Sequence, residues 1–226
     1  MKRLAVSTRI VNATGYSEPR DALAQDWVAF FDARGVLPIL VPNTLSSPET
    51  FAQEMSVDGV LLTGGNMVGL EGETAPPADV KPERDRTENA LIEFAIEKSL
   101  PVLGVCRGMQ MLNRYFGGSV TRNISALEGV SEDHVATEHD IRLTAGDWRT
   151  LAGAETVRVN SFHDDGILKS DLAEILNVAA ESMDGQLIEG FAHPDLPLFG
   201  IEWHVERPSP SSAFDRALFA RIFGDS

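Results

Sequence analysis

The chain's single cysteine, Cys106, lies where a short apolar run gives way to a helical pattern. The run Pro101 to Val105 is typical of a strand buried on both faces, and Met109, Leu112 and Phe116 follow it at helical spacing. Cys106 therefore ends a predicted strand and begins a predicted helix. A thiol at such a junction has the residue type and the position that nucleophilic acyl transfer requires.

Glycines on both sides of the cysteine complete a Gly-x-Cys-x-Gly pattern, with Gly104 and Gly108 as its outer members. This pattern is the cysteine counterpart of the serine nucleophile elbow, in which small neighbours permit a strained turn that exposes the nucleophile. The N–H groups and positive dipole of the helix N-terminus favour the thiolate, and the N–H of Arg107 is free to bind an oxyanion. We therefore expect rapid alkylation at neutral pH, whereas a lone cysteine is more commonly buried and inert.

A histidine and a glutamate near the end of the sequence could serve as general base and orienting group. The run Pro197 to Trp203 predicts a strand, and His204 and Glu206 follow it directly. Residues two apart in an extended chain point to the same side, so Glu206 can fix the tautomer of His204 while the other ring nitrogen faces the thiol. With Cys106 the pair predicts a catalytic triad. The alternative, a surface histidine beside a surface glutamate, does not explain why the pair ends a strand.

The remaining pattern predicts one α/β domain over residues 1–226. Four short apolar runs are typical of buried strands: residues 3–7, 36–41, 59–63 and 101–105. Helical stretches between strands favour a parallel sheet covered on both faces, which is a three-layer sandwich with a mostly parallel central sheet. Four later runs predict strands without long helices between them: residues 141–144, 156–160, 174–179 and 186–191. Residues 213–223 return to a helical pattern.

Composition narrows the class of protein. The 226 residues are 43% hydrophobic, which is enough for one core, and a lone cysteine excludes an intrachain disulfide. With 19 basic against 34 acidic residues, the net charge of -15 argues against nucleic-acid binding. No stretch is long enough to span a membrane and none resembles a signal peptide, so we expect a cytoplasmic protein without a membrane partner. The sequence leaves the oligomeric state open, a homodimer included.

These motifs resemble those of the class I glutamine amidotransferase superfamily. The resemblance covers nearly the whole chain and rests on three segments: Gly-Val-Cys106-Arg-Gly-Met-Gln, Gly117-Gly118 and Trp203-His204-Val205-Glu206. Two further segments are similar to the γ-glutamyl hydrolase branch, of peptidase C26 type: an Arg84-Asp85 pair ahead of the preceding helix, and Val159-Asn-Ser-x-His163. The chain departs from the family at Val205, where proline is usual.

The resemblance implies hydrolysis of a γ-glutamyl amide in a small-molecule substrate, with release of glutamate and without a metal or organic cofactor. It implies that the N–H groups of Gly65 and Arg107 form an oxyanion hole. It also implies substrate contacts from six residues: Gly64, Asn66, Gln110, Asn160, Ser161 and His163. For the side chain of Arg107 we favour an ion pair with Asp85 or Glu88 over a substrate contact.

The leaving group is the least determined part of the substrate. Three segments are similar to the γ-glutamyl-CDP-amidate hydrolases of capsule phosphoramidate synthesis: Tyr16 to Trp27, Ser161 to His163 and Trp203 to Arg207. This resemblance implies a cytidine diphosphate amidate, with Arg9, Arg20 and Arg207 as candidate cations. The alternatives are γ-glutamyl-γ-aminobutyrate in putrescine breakdown, or glutamine if the chain is a glutaminase subunit. A related peptidase or a non-catalytic binding protein fits the cysteine, histidine and glutamate set less well.

Two stretches are predicted to be loops that select the leaving group: residues 11–20 and 69–84. The second is rich in proline and acidic residues, which favours an exposed connector. His134, His139 and His193 show no metal-ligand spacing with a third donor nearby, so we interpret them as ordinary loop histidines and expect no metal site.

Overall fold

The structure, a computed structural model, describes residues 1–127 and 134–224, so the domain predicted over residues 1–226 includes two stretches outside the described residues. The strands in the described part are, in chain order, β1 (Lys2–Ser7), β2 (Arg9–Asn12), β3 (Pro19–Ala22), β4 (Val36–Val41), β5 (Gly59–Leu62), β6 (Val102–Val105), β7 (Val135–Leu143), β8 (Thr156–Phe162), β9 (Asn177–Ser182), β10 (Ile188–Ala192) and β11 (Leu198–Ile201). The helices are α1 (Gln25–Asp32), α2 (Pro48–Glu54), α3 (Pro82–Lys98), α4 (Arg107–Tyr115), α5 (Gly146–Ala152) and α6 (Ser212–Phe223).

A nine-stranded sheet forms the centre of the fold, in the order β4-β1-β5-β6-β11-β10-β9-β7-β8. The first five strands in this order are parallel, and the remaining strands pair antiparallel. Helical crossovers connect β1, β4, β5 and β6, whereas the strands after α4 have no long helix between them and pair antiparallel, apart from the parallel pairing of β11 with β6. The predicted mostly parallel α/β sheet is confirmed.

Two hydrophobic cores cover the two faces of this sheet. Successive residues of β1 point to opposite sides, so Leu4 and Val6 enter one core and Ala5 enters the other. The first core takes most of its aromatic side chains from α1, α5 and α6, including Trp27 and Trp148, and Trp203 joins it from the segment after β11. The second core packs α2, α3 and α4 against the opposite face. The fold is therefore the predicted three-layer sandwich.

Several boundaries differ from those predicted, among them β7, which begins at Val135 rather than at residue 141, and β9, which covers Asn177–Ser182 rather than residues 174–179. The loop after β5 ends before Pro82, which begins α3, so Arg84 and Asp85 lie in the first turn of this helix rather than ahead of it. Proline is suited to a first helical turn because its missing N–H would have no partner there. Residues 11–20, predicted as a loop, lie largely within the β2–β3 hairpin. The last strand, β11, ends at Ile201, so His204 and Glu206 lie in a turn beyond it.

The parallel half of the sheet determines where a site can form. The carboxyl ends of β1, β5, β6 and β11 lie along one edge because these strands run in the same direction. Ligands of open α/β sheets bind at this edge. Among the described residues, no helix has both the length and the apolar character needed to cross a membrane.

Candidate active site

Cys106 lies at a strained turn between β6 and α4. Its φ of 52° and ψ of -113° place a non-glycine residue in a sparsely populated region of backbone space, and its N–H donates to the carbonyl of Ile201 at 2.8 Å. A Cβ on Gly104 would clash with the backbone of Gly108, and a Cβ on Gly108 would clash with the carbonyl of Leu62. Both flanking glycines are therefore required by the close backbone approach that forms the turn.

His204 and Glu206 form a buried pair beside the cysteine. The distance between His204 Nδ1 and Glu206 Oε1 is 2.7 Å. A carboxylate can only accept, so Nδ1 carries the proton and Nε2 keeps a lone pair. A Cβ placed on Gly64 would lie 2.8 Å from His204 Cε1 and 3.5 Å from Cys106 Cβ, so the imidazole and the cysteine side chain both lie against this glycine. The predicted pairing of His204 with Glu206 is present, but a turn rather than an extended strand produces it.

Asn160 holds the backbone of His204. Its Nδ2 donates to the His204 carbonyl at 2.8 Å, and its Oδ1 accepts the His204 N–H at 2.9 Å. Both ends of the amide are therefore occupied by protein. The resemblance implied a substrate contact for Asn160, whereas its geometry is that of a residue that positions the imidazole.

The state of the thiol differs from the expectation. Burial raises the pKa of the Cys106 thiol well above its ordinary value, and the neighbouring carboxyl groups of Glu202 and Glu206 act in the same direction. The N–H of Arg107 lowers this pKa, but by less than burial raises it. The helix N-terminus does not outweigh the loss of water around the sulfur. The resting side chain is therefore a thiol that must transfer its proton as it attacks.

Alkylation measures this protonation state. We expect the rate of inactivation by iodoacetamide to be slow at neutral pH and to rise about tenfold per pH unit between about pH 7 and pH 9, because the reactive thiolate fraction grows in that proportion below the thiol pKa. This replaces the expectation of rapid modification at neutral pH. The measurement is the second-order rate constant as a function of pH, with Cys106→Ala as the unreactive control. A rate that reaches its plateau below pH 7 would contradict it.

Arg84 orients the turn after β5. Its guanidinium donates to the carbonyls of Thr63, at 2.5 Å, and of Gly64, at 3.2 Å, and also to the carbonyl of Gly65. The Gly64 carbonyl and the Gly65 N–H belong to one trans peptide and point in opposite directions. Because the carbonyl points to α3, the Gly65 N–H points away from it, which is the orientation an oxyanion donor needs.

The side chain of Arg107 is buried in ion pairs with Asp85 and Glu88, as favoured from the sequence. Glu88 also accepts from Arg84 at 2.9 Å. One glutamate of α3 thus joins the arginine that orients the Gly65 turn to the residue that follows Cys106. Removal of one member of such a buried network leaves an uncompensated charge, so these residues hold the two predicted oxyanion donors in a fixed relation.

These residues surround a pocket of about 440 Å³. Cys106, His204 and Glu206 line it together with five other predicted site residues: Gly64, Gly65, Asn66, Gln110 and His163. Arg107, the second oxyanion residue, also borders it. Asn160 and Ser161 do not line the pocket, and the Ser161 hydroxyl donates to the His134 carbonyl at 2.8 Å.

Two of the pocket residues have polar atoms that are already engaged. The Asn66 side chain binds both the N–H and the carbonyl of Ile10, at 2.8 and 3.0 Å, which ties the β2–β3 hairpin to the site. Gln110 Nε2 donates to the Asp165 carbonyl at 3.0 Å and to Glu202 at 2.9 Å. The direct substrate contacts that the resemblance implied for these amides would therefore require rearrangement of these bonds.

The pocket contains two of the three candidate cations. Arg9 and Arg207 line it, and the Arg207 guanidinium lies 4.0 Å from the centre of the Phe162 ring. Phe162 is partly exposed and meets His204 edge-on, with 5.7 Å between ring centres. Arg20 instead pairs with Glu18 at 2.5 Å on the hairpin surface and does not line the pocket.

Sequence reasoning missed Glu202. This carboxyl group is 1% exposed and accepts from Gln110 behind the wall of the pocket. Burial raises its pKa well above the ordinary value, and the charge of Glu189 adds to that effect. The sequence did contain a feature that could have indicated Glu202: it lies between Ile201 and Trp203 in an apolar run, where an unpaired charge is costly.

The prediction that His134, His139 and His193 are ordinary loop histidines is wrong for the first two. His139 lies on β7 and His134 directly precedes it, and both are buried against His163 and Glu189. The ring centres of His134 and His163 are 4.9 Å apart, and His139 Nε2 is 3.4 Å from Glu189 Oε1. His193 lies elsewhere, against Phe116. The partners are distant in sequence, so no local spacing indicates them.

The substitution Gly64→Ala tests the close approach of thiol and imidazole. The added methyl group would lie 2.8 Å from His204 Cε1, so we expect the ring to be displaced and any activity of this site to fall about 100-fold or more. Gly146→Ala is the matched control, because a Cβ there meets nothing within 4 Å. Activity and melting temperature are measured for both variants. Full activity of Gly64→Ala would contradict the described geometry.

The chain is similar to a described protein family and to several known proteins. Residues 5–206 match the family described as Peptidase C26. The Schizosaccharomyces pombe protein named "Putative glutamine amidotransferase PB2B2.05" is 36% identical over 162 residues, which are 67% of this chain and 62% of that protein. The chain thus matches less than two thirds of that relative's length.

Two further relatives match over more of their length. Gamma-glutamyl-gamma-aminobutyrate hydrolase of Escherichia coli O157:H7 is 32% identical over 82% of this chain and 78% of that protein. Gamma-glutamyl-CDP-amidate hydrolase of Campylobacter jejuni is 29% identical over 90% of each. A solved glutamine amidotransferase structure from Thermotoga maritima superposes with a TM-score of 0.62 over 98% of this chain and 84% of that chain, at 20% identity, which shows the fold alone.

Proposed function

The chain belongs to the peptidase C26 family, and from this premise we propose that it hydrolyses a γ-glutamyl amide bond with Cys106 as nucleophile, His204 as general acid and base, and Glu206 as the orienting group. The observation that carries this proposal is that the strained Cys106 and the Glu206-bound imidazole both lie against Gly64 and line one pocket. Related proteins named as γ-glutamyl hydrolases support the same class of reaction.

The first half of the reaction forms a thioester. Cys106 Sγ attacks the γ-carbonyl carbon while His204 Nε2 takes the thiol proton, and the carbonyl oxygen becomes an oxyanion facing the N–H groups of Gly65 and Arg107. The imidazolium then gives its proton to the leaving nitrogen, and the carbon–nitrogen bond breaks. The products are the free amine or amidate and a γ-glutamyl thioester on Cys106.

The second half regenerates the enzyme. His204 Nε2 takes a proton from water, whose oxygen bonds to the thioester carbon through a second oxyanion intermediate. The carbon–sulfur bond breaks, the thiolate regains the proton from the imidazolium, and glutamate is released. Glu206 stabilises the imidazolium in both halves, since its buried carboxylate accepts from Nδ1.

For the leaving group we propose an anionic nucleotide conjugate, γ-glutamyl-CDP-amidate. Arg9 and Arg207 provide two cations in the pocket of a chain whose net charge is -15. The exposed face of Phe162 beside Arg207 offers a surface on which a nucleobase can stack. The similarity to the C. jejuni hydrolase over 90% of each protein supports this choice.

A second candidate substrate is γ-glutamyl-γ-aminobutyrate. The relative from E. coli O157:H7 that bears this activity in its name is 32% identical, and its leaving group carries a carboxylate that one arginine could bind. Free glutamine, the substrate of a glutaminase subunit, carries no anionic leaving group and would leave both arginines unused.

Hydrolysis of these three substrates by the purified protein tests the proposal. We expect kcat/KM for γ-glutamyl-CDP-amidate to exceed the other two by about 100-fold or more, since each charge-assisted contact contributes about 1.5–3 kcal/mol. Arg207→Gln should raise its KM about tenfold and leave kcat nearly unchanged. Arg20→Gln is the matched control, because Arg20 pairs with Glu18 outside the pocket. A clear preference for γ-glutamyl-γ-aminobutyrate would overturn the nucleotide proposal and leave the Cys106 mechanism standing.

A further inference from the structure

A buried cluster of histidine and glutamate side chains lies behind the pocket. His134 precedes β7, His163 follows β8 and Glu189 lies on β10, and all three are at least nine-tenths buried. One ligand atom from each lies within 4.8 Å of the others. The proposed hydrolysis uses neither His134 nor Glu189, so this cluster needs a separate explanation.

The protonation pattern of His163 presents a lone pair. Its Nδ1 lies 3.0 Å from the Asp165 carbonyl oxygen, which can only accept, so Nδ1 carries the hydrogen. Nε2 is then an acceptor, and within residues 1–127 and 134–224 it has no hydrogen-bond partner. In metal-bound histidines one ring N–H commonly donates a hydrogen bond to a backbone carbonyl, and the lone pair of the other ring nitrogen binds the metal. The imidazole of His163 has this arrangement.

Glu189 adds a negative charge with unsatisfied oxygens. It is 1% exposed, and no hydrogen bond of ordinary geometry reaches either carboxylate oxygen within the described part of the chain; the neighbouring His139 Nε2 lies 3.4 Å from Oε1. A buried carboxylate with bare oxygens is costly unless a cation or a donor satisfies it.

We propose that His134, His163 and Glu189 bind a divalent transition-metal ion of the zinc class. Imidazole nitrogens and a carboxylate oxygen are the donors that zinc prefers, and three protein ligands leave a fourth position for water or for His139, whose Nε2 is 3.4 Å from Glu189 Oε1. Donors around a tetrahedral ion with bonds of about 2.0 Å are about 3.3 Å apart, so binding would draw the ligand atoms, now within 4.8 Å of one another, together by up to about 1.5 Å.

The ion would add a connection between strands at the antiparallel end of the sheet. His134, His163 and Glu189 come from three separate strand ends or strands, so a bound ion crosslinks them and stabilises the folded state by mass action. His163 also borders the pocket, which provides a route by which the ion can reach the cluster.

Zinc binding tests the proposal independently of turnover. Purified protein carrying Cys106→Ala, which removes the chain's only thiol as a competing zinc ligand, is stripped with a chelator and titrated with zinc chloride by calorimetry, and its metal content is measured by mass spectrometry. We expect about one zinc per chain and a rise in melting temperature on addition of zinc. Cobalt(II) should give the intense visible absorption of a four-coordinate site.

Matched variants locate the ion. In the Cys106→Ala protein, which is the parent here, Glu189→Gln and His163→Asn should each weaken zinc binding at least tenfold. His193 is a buried histidine outside the cluster, so His193→Asn should bind zinc as the parent does. If one cluster variant fails to fold, the other and the cobalt spectrum of the parent decide. Absence of stoichiometric binding by the parent, or equal binding by the parent and both cluster variants, would overturn the proposal and leave the hydrolase mechanism untouched.

Discussion

Replacement of Cys106 by alanine is expected to reduce kcat for γ-glutamyl amide hydrolysis by at least about 10⁴-fold, because no other group on the pocket wall can form the thioester. The fold should be retained. The cysteine is part of a hydrophobic core, but the change removes only one sulfur atom, and the turn is held by glycines and backbone hydrogen bonds. The measurement is steady-state turnover together with the far-ultraviolet circular dichroism and the melting temperature.

Cys106→Ser is the matched control for shape. Serine keeps the size and the hydrogen-bonding capacity of the side chain but is a much weaker nucleophile in a site built for sulfur. We expect it to be nearly as inactive as the alanine variant and to melt at the temperature of the parent. Normal turnover by Cys106→Ala would remove this residue from the mechanism.

The substitution with the next largest expected effect is His204→Asn, which should lower kcat about 10³-fold or more. The resting thiol has a raised pKa, so without a base the sulfur cannot lose its proton as it attacks. Glu206→Gln should retain more activity, since an amide oxygen can still accept from Nδ1 but cannot stabilise the imidazolium.

The informative result is which of the two variants, His204→Asn or Glu206→Gln, reacts more slowly. Rates are measured under single-turnover conditions so that thioester formation is separated from its hydrolysis. His193→Asn controls for loss of a buried histidine as such. A Glu206→Gln enzyme slower than His204→Asn would contradict the orienting role of Glu206. The change Val205→Pro, which restores the residue usual in the family, should be tolerated if only the spacing matters.

Local sequence patterns were sufficient to predict the parallel half of the sheet and the strained turn at Cys106. The run before Cys106 and the glycines beside it determine a strand, a strained turn and a helix through contacts close in sequence. The pairing of His204 with Glu206 was also predictable, since the two residues are only two apart, although a turn rather than a strand brings them together.

Features of the site that depend on contacts between residues distant in sequence could not be predicted. The Asn160 side chain is hydrogen-bonded to the backbone of His204, which is 44 positions away in sequence. The residues next to Asn160 in the sequence therefore could not show that its amide is already engaged within the protein. The histidine cluster joins residues before β7, after β8 and on β10, and periodicity predicts each strand without its partner. The thiol pKa depends on burial, which the helix-dipole argument left out.

The central claim is that a γ-glutamyl group becomes attached to Cys106. A glutamine analogue with a diazoketone in place of the side-chain amide alkylates a nucleophile that attacks the γ-carbonyl position, and intact-mass spectrometry with peptide mapping locates the adduct. We predict one adduct per chain on the peptide that contains Cys106, none in Cys106→Ala, and slower formation in His204→Asn. An adduct on another residue, or no adduct on a chain that hydrolyses γ-glutamyl amides, would contradict the account.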